Sequence, residues 1–336
     1  MTFPITSTAA SLLRELRHRR PLMLSARGSL ALYTFRGGES PHLMWEVGRL
    51  RERAFRTAGG GVGHEVDIDA DDVAADGYNQ LIAWDLQHEQ IVGGYRYIVG
   101  RHSAERHISS LHYVRPSEEF RHSVLPAAIE LGRSFVVHEG VDGLRHSLFA
   151  MDALWQALGM IVGRERGVRY LFGKVTIPPL YDALARELIL RFLEKFHPAR
   201  QSLLRPRWEL EREPLPDMFT LWSYEENYAL LQDLLRSRGE RLPPMLQAYM
   251  RLSRQMQTFG AVLNADFGRA IEVAILIDTA ELNEEMKKKY TPKGCFASAR
   301  LRRVLQPPAT PASESCGRQA VQFKMQNSKL GWRTKK

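Results

Sequence analysis

The sequence predicts an α/β fold, a mixed sheet flanked by helices, and three observations carry that expectation. The run Ile129-Glu130-Leu131-Gly132-Arg133-Ser134-Phe135-Val136-Val137 is apolar enough for a buried strand. A helical pattern over 148–163 follows, then a second apolar strand, Tyr170-Leu171-Phe172-Gly173-Lys174-Val175-Thr176-Ile177, and an amphipathic helix over 180–196. Upstream, Leu81-Ile82-Ala83-Trp84 and the run over 91–99 flank the short polar segment Gln87-His88-Glu89-Gln90, the pattern of a β-hairpin.

Taken in order, residues 1–40 are basic, with a short helix over 9–19, and Gly37-Gly38 and Ser40-Pro41 mark a boundary. Leu43, Val47, Leu50, Ala54 and Phe55 share one face of a helix over 42–56, with Arg49, Arg51 and Arg53 around it. A Gly-rich loop, 57–64, leads to an acidic segment with Glu65, Asp67, Asp69, Asp71, Asp72 and Asp76. Gly93-Gly94 in the return strand of the hairpin suggests a bulge or a close backbone approach. A polar, His-rich stretch spans 102–122. Ser147 is placed to cap the helix after the charged strand, whose core face is Leu148, Met151, Leu154, Trp155, Leu158, Ile161 and Val162. Further helices are expected over 223–236 and 245–257, and a strand over 271–277. The domain plan is a basic segment at 1–40, a domain at 41–282 with a helical C-terminal extension, and a basic, disordered tail at 283–336.

With 25% charged and 44% hydrophobic residues among 336, the chain has a globular composition. A net charge of +9 suits an acidic partner: nucleic acid, anionic lipid or an acidic protein, and charge alone does not choose among them. Two isolated cysteines, Cys295 and Cys316, support neither a disulfide framework nor a zinc site. The first 24 residues hold no apolar run fit for a signal peptide or a membrane span, so a cytoplasmic location is expected.

Glu130 and Arg133 are charges in an apolar strand, costly unless paired or functional. Positions i and i+3 of a regular strand face opposite ways, so the two share a face only if a bulge intervenes, and Gly132 is the residue to supply it. Two readings stand on the residues alone: an ion-pair network that fixes the sheet, or an active-site carboxylate with an anchoring cation. The acidic segment lacks the spacing of a calcium loop. The histidines at 102, 107, 112 and 122 have no metal-ligand spacing, and no metal is expected. Gly59-Gly60-Gly61-Val62-Gly63 precedes an acidic run rather than a helix, which argues against a phosphate cradle.

Several spaced motifs together resemble one family. Arg51-Glu52-Arg53-Ala54-Phe55, Glu65-x-Asp67-x-Asp69, Val92-Gly93-Gly94-Tyr95-Arg96 and Glu130-Leu131-Gly132-Arg133-Ser134-Phe135-Val136 are similar, in order, to the acyl-carrier-protein-dependent N-acyltransferases that make bacterial ornithine or glycine lipids. These hemolysin-like proteins belong to the GNAT superfamily. Leu154-Trp155, Leu171-Phe172-Gly173 and Leu242-Pro243-Pro244-Met245 continue the resemblance over residues 42–280. The branch with Gly173-Lys174-Val175-Thr176 looks closest to the glycine N-acyltransferases, and the order of Arg, Phe, Asp and Glu-x-x-Arg also resembles the acyl-homoserine-lactone synthases.

The resemblance implies a GNAT-like sheet that splays open between the strands at 129–137 and 170–177. It implies transfer of a fatty, 3-hydroxy acyl group from acyl carrier protein to the amino group of glycine or ornithine. The co-substrate is then the acyl-phosphopantetheine of the carrier, with no bound cofactor and no nucleic-acid partner. A lipid product implies peripheral contact with the inner membrane, through the basic N-terminal segment. The loop over 138–145 departs from the superfamily's pyrophosphate signature, which favours a carrier protein over coenzyme A. Glu130 is the first candidate for the base and Asp69 the second; Arg133 or Arg96 would hold the acceptor's carboxylate. Arg53 and Arg51 would pair with Asp67 or Asp69, and Phe135, Val136, Trp155 and Phe172 would line the acyl tunnel. The rival readings are a homoserine-lactone-synthase-like or lysophospholipid acyltransferase, and a non-catalytic lipid- or carrier-binding protein.

Overall fold

The computed structural model describes residues 7–137 and 143–290. Its helices are α1 (Ala9–Leu16), α2 (Pro41–Thr57), α3 (Ala70–Val73), α4 (Gly143–Arg164), α5 (Ala183–Phe196), α6 (Tyr224–Arg236), α7 (Pro244–Leu252) and α8 (Glu284–Tyr290). Its strands are β1 (Met23–Leu24), β2 (Leu30–Arg36), β3 (Asn79–Asp85), β4 (Gln90–Val99), β5 (Val114–Pro116), β6 (Ala128–Val136), β7 (Tyr170–Ile177), β8 (Leu204–Pro206), β9 (Gln257–Asn264) and β10 (Ala270–Asp278). Eight strands form one sheet in the order β1-β2-β3-β4-β6-β7-β10-β9, and β5 pairs with β8 apart from it. Only β6 and β7 run parallel in the large sheet, as strands joined by a crossover helix must.

Alternation along the strands sorts side chains to two faces. On one face Tyr95, Leu131, Val175 and Ile177 pack with Leu154, Trp155 and Leu158 of α4 and with Leu188, Ile189 and Phe192 of α5. On the other, Tyr33, Phe35, Ile82 and Trp84 pack with Leu43, Met44, Val47 and Leu50 of α2. Farther along that second face Phe172, Ala274 and Leu276 meet Phe120, Leu111 and Leu125 of the 108–125 segment. Each fully buried side chain of this size contributes roughly 2 kcal/mol. The polar residues described below lie between these last two apolar clusters.

The sheet runs across the boundary expected at residue 40. Leu30-Ala31-Leu32-Tyr33 is buried, so the Arg-rich flanks hide a true strand, and β1 pairs with it. Helix α4 begins at Gly143, so Ser147 is not its cap; Ser147 Oγ donates to the Val137 carbonyl at 3.1 Å and ties the helix to the end of β6. Helix α7 stops at Leu252, and the residues expected in its last turn form a turn that leads into β9 at Gln257, which hairpins onto β10 through Asp266-Phe267-Gly268. Helix α8 occupies residues expected in the tail, with Met286 buried and Tyr290 Oη donating to Asp152. Residues 291–336, which hold most of the expected tail and both cysteines, lie outside the described residues, as do residues 138–142 of the departed loop. Among the described residues no helix is long and apolar enough to cross a membrane.

A buried histidine gives the fold a pH signature. His197 stands between the Met256 carbonyl, 3.2 Å from Nδ1, and the Tyr224 hydroxyl, 3.2 Å from Nε2. A carbonyl only accepts, so Nδ1 carries the proton and Nε2 accepts from Tyr224. Burial lowers the His197 pKa from 6.5 to about 4, against the opposing pull of the Met256 carbonyl. A depressed folded pKa means the unfolded chain takes up the proton first. The resulting stability is whole above about pH 6.5 and is lost as pH falls toward 4, roughly 3 kcal/mol in all. Melting temperature should therefore fall across that window in the native chain and fall less in His197→Gln; parallel curves for the two proteins would count against it.

Candidate active site

The two strands predicted to splay do so. β6 and β7 pair only from Ala128 with Tyr170 to Leu131 with Gly173. β6 stays paired to β4 as far as Val136, and β7 stays paired to β10 as far as Ile177. From Gly132 and Lys174 onward the strands part, and their facing backbone donors and acceptors line a V-shaped cleft. Gly173 sits at the crotch because a Cβ there would lie 2.6 Å from the Leu131 carbonyl oxygen.

A bulge sits just past the crotch. Arg96 pairs with Gly132 but Gly94 pairs with Phe135, so two steps on β4 face three on β6. The left-handed residue is Arg133, at φ 50°, not Gly132, where the sequence reading put the bulge. A long side chain in that region is strained, a condition that marks functional backbone. The extra residue reverses the phase of β6. Glu130 and Arg133 thus reach the same face, and Phe135 turns onto the α2 side instead of the α4 side.

Glu130 and Arg133 do not pair with each other. Glu130 is 1% exposed; its Oε1 accepts from Ser110 Oγ at 2.7 Å, and its Oε2 has no partner among the described residues. Arg133 is half-buried and pairs with Asp67 through Nη1 and with Asp69 through Nη2 at 3.3 Å. Burial, then the charge of Arg51, lowers the Arg133 pKa to about 9, while Glu272 and Glu52 oppose the fall; the guanidinium stays charged at neutral pH. Asp69 caps α3 by accepting from the Asp72 N–H, and also accepts from Arg96 Nη1 at 2.6 Å.

Behind this layer lies a closed ionic network. Arg51 donates from Nη1 to both Asp72 oxygens at 3.1 Å and from Nη2 to Gln80, whose amide donates back to Asp72 at 2.9 Å. Arg96 lies 3.4 Å from Asp72 and stacks 4.0 Å over the Tyr78 ring. Burial raises the Asp72 pKa, but Arg51 and Arg96, with the Asp69 N–H and Gln80, bring it down to about 2. Arg96 is 1% exposed and matched to the carboxylates of Asp69 and Asp72. Arg53, expected in the cluster, lies on the exposed face of α2, because two residues along a helix turn the side chain through some 200° away from buried Arg51. Arg51 in turn reaches Asp72, not Asp67 or Asp69.

The Gly-rich loop closes the open end of the V. Glu52 accepts from the Val62 and Gly63 N–H groups, both at 2.9 Å, and from Arg56 at 2.6 Å. Burial raises its pKa, yet these partners outweigh burial and hold it below the usual carboxylate value. Gly60 abuts Phe267 of the β9–β10 turn, Gly59 abuts Leu180 just beyond β7, and Phe55 meets Phe267 edge-on at 5.3 Å. The loop thereby spans from the β6 side of the split to the β10 side.

The expected acyl tunnel is divided. Phe135 packs with α2, Phe172 with the 108–125 segment, and Trp155 with α4, so the three do not line one channel. Val136 does pack on the Trp155 side. There Trp155 meets Tyr95 and Tyr249 edge-on, and Tyr95 Oη faces the Met151 and Met245 sulfurs at 3.6 and 3.7 Å. Ser134 Oγ lies 3.4 Å from the Met245 sulfur, and the buried Trp155 Nε1 has no partner among the described residues. This is a packed apolar cluster in which the Tyr95 hydroxyl also hydrogen-bonds the hydroxyls of Ser134 and Tyr249.

Comparison with known proteins fits this geometry. The Acetyltransferase (GNAT) domain family matches residues 50–148, which run from within α2 through β6 into α4. Glycine N(alpha)-acyltransferases of Phocaeicola vulgatus and Bacteroides thetaiotaomicron are each 37% identical over 287 residues, covering 82% of this chain and 88% and 85% of theirs. The chain belongs to this family of GNAT N-acyltransferases. Among solved structures, the acyl-homoserine-lactone synthase LasI is similar at 16% identity, with a TM-score of 0.38, over 81% of this chain and 98% of its own. The acyltransferase thus keeps Glu130, Arg133, Asp67, Asp69 and Arg96 on one side of its cleft. Gln80, Tyr78 and Ser110, which complete the cluster with Asp72 of the acidic segment, were not singled out from sequence. Neither was Glu272, although it is a lone carboxylate in an apolar run, the same signal that marked Glu130.

Proposed function

We propose that the protein transfers a 3-hydroxy fatty acyl group from the thioester of acyl carrier protein to the amino group of glycine, with ornithine the next acceptor in line. The observation that carries this reading is the parting of β6 and β7 at Leu131 and Gly173, with Glu130, Asp69 and Arg133 on one face beside it. An extended phosphopantetheine arm adds to an open strand edge as a further strand would. The relatives are glycine N(alpha)-acyltransferases, which supports glycine as the acceptor.

The acceptor arrives as an ammonium and cannot attack until it loses a proton. Glu130 is deep, and its route to the amine is a water. An added Cβ on Gly132 would lie 3.5 Å from Arg96 Nε and 3.9 Å from Glu130 Oε2, two buried atoms without partners among the described residues. A water over Gly132 accepts from Arg96, donates to Glu130 and relays the ammonium proton to it. The freed amine attacks the thioester carbonyl, with a backbone N–H of the bulge facing the developing oxyanion. The C–S bond breaks, the C–N bond stays, and the second amine proton goes to the departing thiolate. Asp69 meets the incoming ammonium, and Arg133 meets the carboxylate. The buried Trp155 N–H, without a partner among the described residues, gives a hydroxylated acyl chain a donor that an unsubstituted chain leaves unmatched.

The donor is tested by product analysis with a panel of amino acids. Carrier-protein thioesters should turn over much better than coenzyme A thioesters. The efficiency should fall with added salt, because an acidic carrier is steered by a chain of net charge +9. Equal, salt-insensitive use of both donors overturns the carrier assignment, and no amide product with any amino acid overturns the function.

A further inference from the structure

Across the crotch from Arg133 stands a second charged group that the reaction above leaves unused. Lys174 is the first residue of β7 beyond the last β6 pair. Its Nζ donates to Glu272 of β10 at 2.6 Å and lies 4.8 Å over the Tyr113 ring. Glu272 is 2% exposed and fully held: Thr176 donates to its Oε2 at 2.9 Å and Asn264 to its Oε1 at 3.0 Å. The register puts Lys174, Thr176 and Glu272 on the same face as Phe172 and Glu130, the face roofed by the Gly-rich loop. Arg133 and Lys174 each stand one or two residues past the last β6–β7 pair, on the two strands that part, and Glu272 also acts on Arg133, raising the pKa that burial lowers.

Resting on the acyl-transfer reading, we infer that Lys174 is a binding residue for the acceptor's carboxylate, which it holds against Arg133 from the opposite strand. An ammonium has three donors, and among the described residues Glu272 is the only hydrogen-bond acceptor of Lys174. The side chain is about one-fifth exposed, so the remaining donors are reachable from the cleft. Glu272 and the Tyr113 face fix the ammonium in place before the substrate arrives, as a preorganised subsite requires. The ligand class is an α-amino acid with a free carboxylate. Its carboxylate bridges Lys174 and Arg133 at the crotch, and its nitrogen projects toward Asp69 and Gly132. An amine without that carboxylate leaves the lysine unmatched and is disfavoured.

The test compares glycine with glycinamide as acceptors at fixed donor. The native enzyme should prefer glycine strongly. Lys174→Met keeps the stem over Tyr113 but leaves Glu272 buried and unpaired, so the Lys174→Met/Glu272→Gln pair is measured beside it. In the pair the Michaelis constant for glycine should rise about 10- to 100-fold, the loss of one charge-assisted contact, with the change in KM rather than kcat. The preference over glycinamide should shrink by a similar factor, and Lys174→Arg should retain part of it. If the folded pair discriminates as the native enzyme does, Lys174 is structural and the inference falls alone. If the native enzyme acylates no amino acid, the acyl-transfer reading falls and takes the inference with it.

Discussion

Replacing Glu130 by Gln should lower kcat by about 10²–10⁴-fold while leaving the melting temperature nearly unchanged. The substitution keeps an oxygen to accept from Ser110 and removes only the base. It breaks no ion pair, because Glu130 and Arg133 each have other partners. A purely structural carboxylate predicts the reverse, with activity following the folded fraction. Gly132→Ala supplies an independent check on the relay. The added methyl makes only ordinary contacts at 3.5 and 3.9 Å, so folding should be spared while the water's place over Gly132 is filled. The two substitutions should then impair one step. Their combination should cost little more than the worse of the two, since residues acting as a unit are not additive. Full activity in Glu130→Gln would move the base to Asp69.

How much of this was legible in the sequence depends on whether the cause was local. β6 and β7 were readable to within a residue or so, because near-continuous apolar runs suit a strand buried on both faces. The β3–β4 hairpin was readable from two runs around a polar turn. The hidden strand β2 shows the opposite case: Leu30 to Phe35 carries a strand pattern, but basic residues on both sides gave the whole segment a tail-like composition. The bulge was foreseen from the need to bring Glu130 and Arg133 to one face, yet its left-handed residue was misassigned. Glycine is the default for that conformation, but the register with β4 selects Arg133. Dividing Phe135, Phe172 and Trp155 among three clusters follows from the same phase reversal and from α4 covering one face only. The Asp72 and Gln80 partnership is nonlocal, since Arg51 comes from α2, and no spacing rule encodes it.

That nonlocal network should give the largest stability effect in the protein. Asp72→Asn preserves shape but removes the one carboxylate shared by Arg51 and Arg96, both almost wholly buried. Breaking a buried pair strands charge out of water and costs about 3–5 kcal/mol. The melting temperature should fall on the order of 10 °C. The acid limb supplies a second reading. The Asp72 pKa is about 2 against 3.8 when free, so its contribution is complete above about pH 4 and disappears as pH falls through 2. Stability of the variant should therefore depend less on pH in that range than the native chain does. Arg51→Gln added to Asp72→Asn removes part of the stranded charge and should recover some of the loss; no recovery would mean that the cost lies in the α3 turn rather than in the ion network. Below its lowered melting temperature Asp72→Asn should still turn over substrate at a rate set by its folded fraction. That is the reverse of the expectation for Glu130→Gln, and the contrast separates the layer that holds the cleft in shape from the layer that moves the proton.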